Sequence, residues 1–175
     1  MALLLEAVTN LDLLTVGVAV AAIGILGFVV FLNNPRSTTN RTFLAFAILT
    51  IVYGVLNYAN YQVASPLLIL WLLRLVIFSA VWYSLVLFRL FYVFPEDQVA
   101  LPKSYRVALV PLVVFISIVN LTPFVFSGID ELASIGQVSK TVVEPGIYAF
   151  VISVLGLVIG GLYVLFRKMH SSEGL

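Results

Sequence analysis

The chain alternates between long apolar stretches and short polar breaks. Five stretches are long enough to cross a hydrocarbon core of roughly 30 Å as helices, which takes about 20 residues each. We predict these spans at residues 13–32, 43–62, 67–94, 107–127 and 146–166. The pattern therefore predicts an all-α, polytopic membrane helix bundle of five transmembrane helices, with residues 1–175 forming a single membrane domain.

The polar breaks contain residues that end or begin helices. Pro35 follows the first stretch and Pro95 the third, and proline cannot continue a helix. Ser65-Pro66 is typical of an N-cap followed by the first helical position, and Pro145 precedes the fifth stretch. Because the break at Ser65-Pro66 is so short, the second and third helices are predicted to be antiparallel neighbours.

The composition excludes several classes of protein. Hydrophobic residues make up 62% of the chain and charged residues 10%, whereas a typical globular domain is about 45–50% apolar. A soluble domain of this size could not bury so much apolar surface. The net charge of +1 gives no electrostatic case for nucleic-acid binding. With no cysteine and one histidine, we predict no catalytic, cofactor-binding or metal-ligating residue, and no cofactor.

The basic residues of the loops predict an orientation. With the N-terminus outside, the inner loops and tail contain Arg36, Arg41, Lys103, Arg106, Arg167 and Lys168. The outer loops then contain a single basic residue, Lys140. Because cytoplasmic loops are enriched in lysine and arginine, we predict an outside N-terminus, a cytoplasmic C-terminus and a multi-pass location in the inner (cytoplasmic) membrane.

A few polar side chains lie within the predicted spans. Arg74 is the one ionisable residue clearly at membrane depth, where charges are costly and usually face protein or water. Tyr53, Asn57 and Asn60 follow one face of the second helix, where Asn57 comes level with Arg74, and Asn120 of the fourth helix reaches a similar depth. These five residues form a candidate intramembrane polar cluster, possible lining for an outward-facing pocket. Alternatively, Arg74 snorkels to the headgroups and the asparagines bond helices together.

Small residues indicate where helices approach closely. Gly156 and Gly160 form a GxxxG pattern in the fifth span, and Gly17, Ala21 and Gly24 form a stripe on the first. Such stripes allow backbones to approach one another in lipid, where no hydrophobic effect drives helices together. We predict that they pack within the bundle rather than at a dimer interface.

Several short motifs carry a resemblance to a known family. They are NPRS and NRTF at residues 34–37 and 40–43, WLLRL at 71–75 continuing to FYVFP at 91–95, and EPGIY at 144–148. Together they resemble the N-terminal seven-transmembrane sensor region of bacterial histidine kinases. The resemblance extends over residues 13–170, but only five of the seven helices of that region are present.

The resemblance implies a function in signal transduction. The chain would be the membrane-embedded sensory input module of a histidine-kinase-like protein. It carries no phosphoacceptor helix and no ATP-binding domain, so we predict no enzymatic activity. The expected partners are the lipid bilayer, a second copy of the chain or a downstream cytoplasmic kinase domain, and the stimulus is not readable from the sequence. Two alternatives stay open, a non-enzymatic structural or assembly membrane protein and a small transporter with Arg74 on its substrate path.

Overall fold

Five helices dominate the structure. The computed structural model describes residues 2–96, 98–132 and 139–172, with side chains described between residues 14 and 170 of these ranges. The helices are α1 (Ala2–Asn33), α2 (Thr38–Gln62), α3 (Pro66–Val93), α4 (Lys103–Asn120) and α5 (Gly146–Ser172). Each contains a segment long and apolar enough to cross a membrane. The predicted five-helix architecture is thus confirmed, and it indicates a protein that crosses a membrane several times.

The helices and the predicted spans have different bounds at several ends. The first helix begins at Ala2, and its segment apolar enough to cross a membrane, Leu14–Asn33, agrees with the predicted span 13–32. The fourth spans Lys103–Asn120 rather than 107–127. Its early end has a local cause, since Pro123 disfavours helical geometry at the residue before it. Residues 121–125 form turns that lead into a strand starting at Phe126, and a short apolar run does not by itself reveal where a helix ends.

The connection between α4 and α5 forms a β-hairpin that the sequence analysis did not predict. Strand β1 (Phe126–Glu131) pairs antiparallel with strand β2 (Lys140–Val143), and these are the strands found in the described residues. An ion pair of 2.8 Å between Lys140 Nζ and Asp130 Oδ2 lies across the exposed end of the pair. The hairpin therefore sets the position at which the chain enters α5.

Helix α3 is the centre of the bundle. It packs against α2 on one side, α5 on another, and also contacts α4 and β1. Helix α1 packs chiefly against α2. The main apolar core joins three helices, with Val81 and Phe88 from α3, Val113 and Ile116 from α4, and Leu157 from α5. Any displacement of α3 therefore changes contacts with most of the other elements.

The turn between α1 and α2 is held by its own side chains. Ser37 is the N-cap of α2, and its Oγ accepts a hydrogen bond from the Asn40 backbone N–H at 3.3 Å. Asn40 Nδ2 in turn donates to the Val30 carbonyl oxygen at 2.8 Å, which satisfies a carbonyl group at the C-terminal end of α1. Arg41 Nε donates to the Pro35 carbonyl oxygen at 2.7 Å. The polar residues of this segment thus fix a tight helix-to-helix connection.

The contacts define two ends of the bundle. At the basic end (residues 33–42, 92–106 and 163–170), Thr39 Oγ1 of α2 donates to the Glu96 carbonyl oxygen at 2.7 Å. Six basic residues lie at this end: Arg36, Arg41, Lys103, Arg106, Arg167 and Lys168. The hairpin end (residues 57–77, 117–132 and 139–150) contains the α2–α3 loop and the hairpin. Charge is therefore segregated along the bundle.

The close contacts between α1 and α2 become looser away from the basic end. A Cβ atom added at Gly27 would lie 2.7 Å from the Ala47 Cβ, one at Gly24 would lie 3.4 Å from the Ile51 Cδ1, and one at Gly17 would meet nothing within 4 Å. Ala21 is exposed. Of the predicted α1 stripe, Gly24 therefore lies at a contact with α2, whereas Gly17 meets no neighbouring atom within 4 Å and Ala21 is exposed.

On α5 the contact is displaced by one residue from the predicted motif. A Cβ atom at Gly160 would lie 3.6 Å from the Phe88 ring, whereas one at Gly156 would meet nothing within 4 Å. The closest approach is at Gly161, where an added Cβ atom would lie 2.9 Å from the Phe91 ring and 3.2 Å from the Phe88 Cα. Gly160 and Gly161 therefore lie at the contact with α3, whereas Gly156, one turn earlier on α5, is exposed.

Candidate functional site

Arg74 is buried in protein at the hairpin end. The residue is only 6% exposed. Its Nη2 donates a hydrogen bond of 2.7 Å to the Phe126 carbonyl oxygen on β1. The guanidinium carbon lies 5.2 Å from the centroid of the Trp71 ring, one turn earlier on α3. The charge is therefore held inside the bundle, as we favoured from the sequence, rather than extended to the lipid headgroups.

Local sequence places Arg74 against the hairpin. Pro66 occupies the first turn of α3, and Ser65 stands at its N-cap without a side-chain hydrogen bond to the helix. One turn after Arg74, Ile77 packs with Val125 and Phe126 in a small apolar cluster. The start of β1 is thus fixed to α3 by apolar contact at Ile77 and by a charged hydrogen bond at Arg74.

The charge of Arg74 is only partly compensated. Arginine stays protonated in proteins, and a buried charge is costly unless it is paired. Among the ion pairs of the described residues, none includes Arg74. Its Nε is buried without a hydrogen-bond partner in the described part of the chain. The Phe126 carbonyl and the Trp71 ring stabilise the cation, and a spare donor remains inside the protein.

Asn120 binds α3 one turn away from Arg74. The residue ends α4 and is completely buried. Its Nδ2 donates to the Ile77 carbonyl oxygen at 3.3 Å, and its Oδ1 has no hydrogen-bond partner among the described residues. Arg74 and Asn120 therefore share one region of α3, where they connect α3 to the hairpin and to α4.

The three α2 residues of the predicted cluster are not joined to Arg74. Asn60 is buried with its Oδ1 unpartnered in the described residues, and Asn57 is half-buried. Tyr53 is 39% exposed, and its ring centroid lies 6.4 Å from that of Tyr83. No hydrogen bond between these residues and Arg74 occurs within the described side chains. The sequence grouped these residues by their depth and helix face. Similar depth in adjacent helices does not place side chains on facing surfaces, so the grouping does not predict contact.

The hairpin is also attached to the beginning of α5. The Glu144 backbone N–H donates to the Val125 carbonyl oxygen at 2.9 Å, and the Gly146 N–H donates to the Phe124 carbonyl oxygen at 3.0 Å. The Ser127 hydroxyl donates to Glu144 Oε1 at 2.8 Å. Most of these partners are backbone atoms, which side-chain identity does not reveal. The one sequence signal for them is the helix-entry motif that includes Pro145.

A second polar contact group lies at the basic end. Lys168 Nζ of α5 donates to the carbonyl oxygens of Tyr92 and Phe94, the latter at 3.3 Å, and forms an ion pair of 3.1 Å with Glu96. The last carbonyls of a helix lack intrahelical donors, and cations are favoured there. The sequence analysis treated Lys168 only as a topological signal. The structure shows that it binds α5 to the end of α3.

The site contains no obvious centre for metal chemistry. The described residues hold no group of three or more His, Asp or Glu side chains placed to bind a metal ion. The arrangement combines a buried guanidinium, whose Nε has no partner among the described residues, with the buried Asn120 amide and an attached hairpin. These groups can bind an anion or a hydrogen-bonding group, and they can exchange partners.

Comparisons with known proteins add no relative. No protein-family model matches the chain, and neither a curated protein nor a solved structure matches it. The resemblance to the membrane region of histidine kinases therefore stays a prediction that rests on its motifs.

Proposed function

We propose that the chain is a membrane-embedded sensory input module of a signal-transduction protein. The observation that carries the proposal is the buried Arg74, whose side chain binds the backbone of a hairpin at one end of the central helix. A partly compensated charge is a suitable point for a stimulus to act. A ligand or a displaced hairpin can offer the guanidinium better hydrogen-bond partners, and this changes the free energy of the buried charge. The motif resemblance supports the same function.

A stimulus must favour one of two arrangements of the bundle. The hairpin leads into α5, whose far end binds the end of α3 through Lys168. Arg74 binds the same hairpin to the beginning of α3. Movement of the hairpin would therefore shift α3 and α5 relative to one another, and their far ends meet at the basic end. Such a contiguous, packed route is the physical requirement for coupling two sites.

The orientation of this module follows from its charge. The six basic residues of the basic end favour a cytoplasmic location for that end. The hairpin and Arg74 would then face the outer side of a bacterial inner membrane, where a stimulus can reach them. The end of α5 would face the cytoplasm, where a kinase domain or a second copy of the chain would receive the signal.

Spin labels at the basic end test this function. The chain has no native cysteine, so Arg36→Cys and His170→Cys, both at exposed positions, direct labels to α1–α2 and α5 alone. In the full chain in lipid nanodiscs, we expect Arg74→Leu to shift the label-to-label distance by about 1–2 Å or to add a second distance population, since helix shifts of this size are typical of switching transitions. Pulsed electron paramagnetic resonance measures the distribution.

A substitution on the same end of α3 provides the control. Leu67 is 67% exposed, so Leu67→Ala should leave the distance distribution unchanged. A distribution that is also unchanged by Arg74→Leu would contradict the sensor proposal. A rigid bundle of that kind would instead favour the structural or assembly alternative.

A further inference from the structure

A groove opens between the helices at the basic end. It has a volume of about 1040 Å³ and lies where α3, α4 and α5 meet. Tyr105 of α4 packs on α3, with ring centroids 5.8 Å from Phe88 and 5.7 Å from Tyr92. On the opposite side, α5 approaches Phe88 through Gly160, which has no side chain to fill the space. The absence of a side chain at Gly160 leaves the groove open along α5.

The lining of the groove changes from apolar to charged along its length. From Gly160 to Met169 it follows α5 for about 13 Å at 1.5 Å per residue. The inner part is lined by the aromatic and aliphatic side chains of Phe88, Val164 and Leu165. The other end of the groove is lined by two cationic side chains, Arg167 and Lys168, and one carboxylate, Glu96. The groove is therefore apolar inside and positive at its mouth.

The positive charge extends beyond the groove itself. Lys103 and Arg106 lie in the first turn of α4, on either side of the groove residue Tyr105, and both are exposed. Arg167 is also exposed, whereas Lys168 is engaged at the end of α3. All of these residues stand at the ends of spanning helices, the depth at which lipid phosphates lie.

We propose that the groove binds one anionic phospholipid, with an acyl chain between α4 and α5 and its phosphate at the exposed Arg167. Basic pockets between transmembrane helices are recognised by anionic headgroups, and juxtamembrane lysine and arginine attract anionic lipids. The apolar inner part matches an acyl chain, and the net positive mouth selects against zwitterionic headgroups. This site is distinct from Arg74 and goes beyond the proposed sensory function, on which it does not depend.

Native mass spectrometry of the full chain in detergent tests the lipid site. Phosphatidylglycerol and phosphatidylcholine with identical acyl chains are the two probes, and glycerol phosphate is the headgroup alone. We expect retention of one phosphatidylglycerol molecule in clear preference to phosphatidylcholine. Arg167→Gln should weaken that retention about fivefold. Arg36→Gln removes an exposed charge from the same end, outside the groove, and should leave retention unchanged.

A second variant tests the acyl-chain part. Gly160→Leu places an apolar side chain in the groove and should lower phosphatidylglycerol retention, whereas Gly156→Leu, whose added Cβ meets nothing within 4 Å, should not. Equal retention of the two lipids would overturn the proposal, as would equal losses in Arg167→Gln and Arg36→Gln. Binding of glycerol phosphate as tightly as the lipid, or a dimer that Gly160→Leu dissociates, would also overturn it, since the occupant would then be a free phosphate or a second copy.

Discussion

Gly146→Ala is expected to lower the free energy of unfolding by about 3 kcal/mol, a large effect for one added methyl group. The new Cβ atom would lie 2.6 Å from the Phe124 carbonyl oxygen and 2.5 Å from the Phe124 ring. The carbonyl cannot rotate away as a side chain does, because it accepts the hydrogen bond from the Gly146 N–H. The substitution therefore separates the hairpin from the start of α5.

Gly128→Ala is the matched control for this prediction. Gly128 lies on β1 of the same hairpin, and a Cβ atom added there meets nothing within 4 Å. Its unfolding free energy should stay within about 0.5 kcal/mol of the wild type. Both values come from unfolding in mixed micelles followed by circular dichroism. Equal stabilities of the two variants would show that residues 124 and 146 are not in close contact.

Arg74→Leu is expected to destabilise the bundle by about 1–3 kcal/mol, the cost of leaving a buried polar group without its partner. Leucine keeps apolar bulk at this position and removes the desolvation cost of the charge. It cannot donate to the Phe126 carbonyl oxygen, however, and it removes the cation above the Trp71 ring. We expect the lost contacts to outweigh the relieved desolvation, because they also hold β1 against α3.

A double-mutant cycle identifies the partner of Arg74. Arg74→Leu and Asn57→Leu should be additive within about 0.5 kcal/mol, as expected for residues that share no contact. The bond of Arg74 is made to a backbone carbonyl on the hairpin. A larger coupling energy would instead place Asn57 in direct contact with the guanidinium and contradict the geometry of the site.

The positions of the helices were predictable because length and apolarity decide them. Pro35, Pro95 and Pro145 stand between helices and Pro66 begins one, as predicted. The end of α4 was not predictable in the same way, because residues 121–126 remain largely apolar. Residues 121–125 form turns instead, and Phe126 begins β1, whose pairing with β2 joins residues distant in sequence that local pattern does not encode.

The candidate site was only partly predictable. Arg74 and Asn120 stand out in the sequence because such side chains are costly in lipid, and both are buried. Their partners are the carbonyls of Phe126 and Ile77, and every residue has a carbonyl. The spacing of small residues also failed to predict the helix contacts at Gly17 and Gly156. Spacing defines a face of one helix, but not the direction in which the neighbouring helix crosses that face.

The proposed sensory function requires that the two ends of the bundle are coupled. Tyr92, whose carbonyl accepts from Lys168, lies 18 residues after Arg74 on α3, or about 27 Å at 1.5 Å per residue. The effects of two substitutions this far apart on the unfolding free energy normally add. They do not add when a bundle has two arrangements and both substitutions change the balance between them. The most direct measurement is therefore a double-mutant cycle of Arg74→Leu with Lys168→Gln, read as unfolding free energies of the full chain.

If the two ends are coupled, these two substitutions should show a coupling energy of at least about 0.5 kcal/mol. As a control, Arg74→Leu combined with Arg36→Gln, an exposed residue of the same basic end, should be additive. Additivity of Arg74→Leu with Lys168→Gln within about 0.3 kcal/mol would contradict the account, since the hairpin end would then send no signal to the basic end.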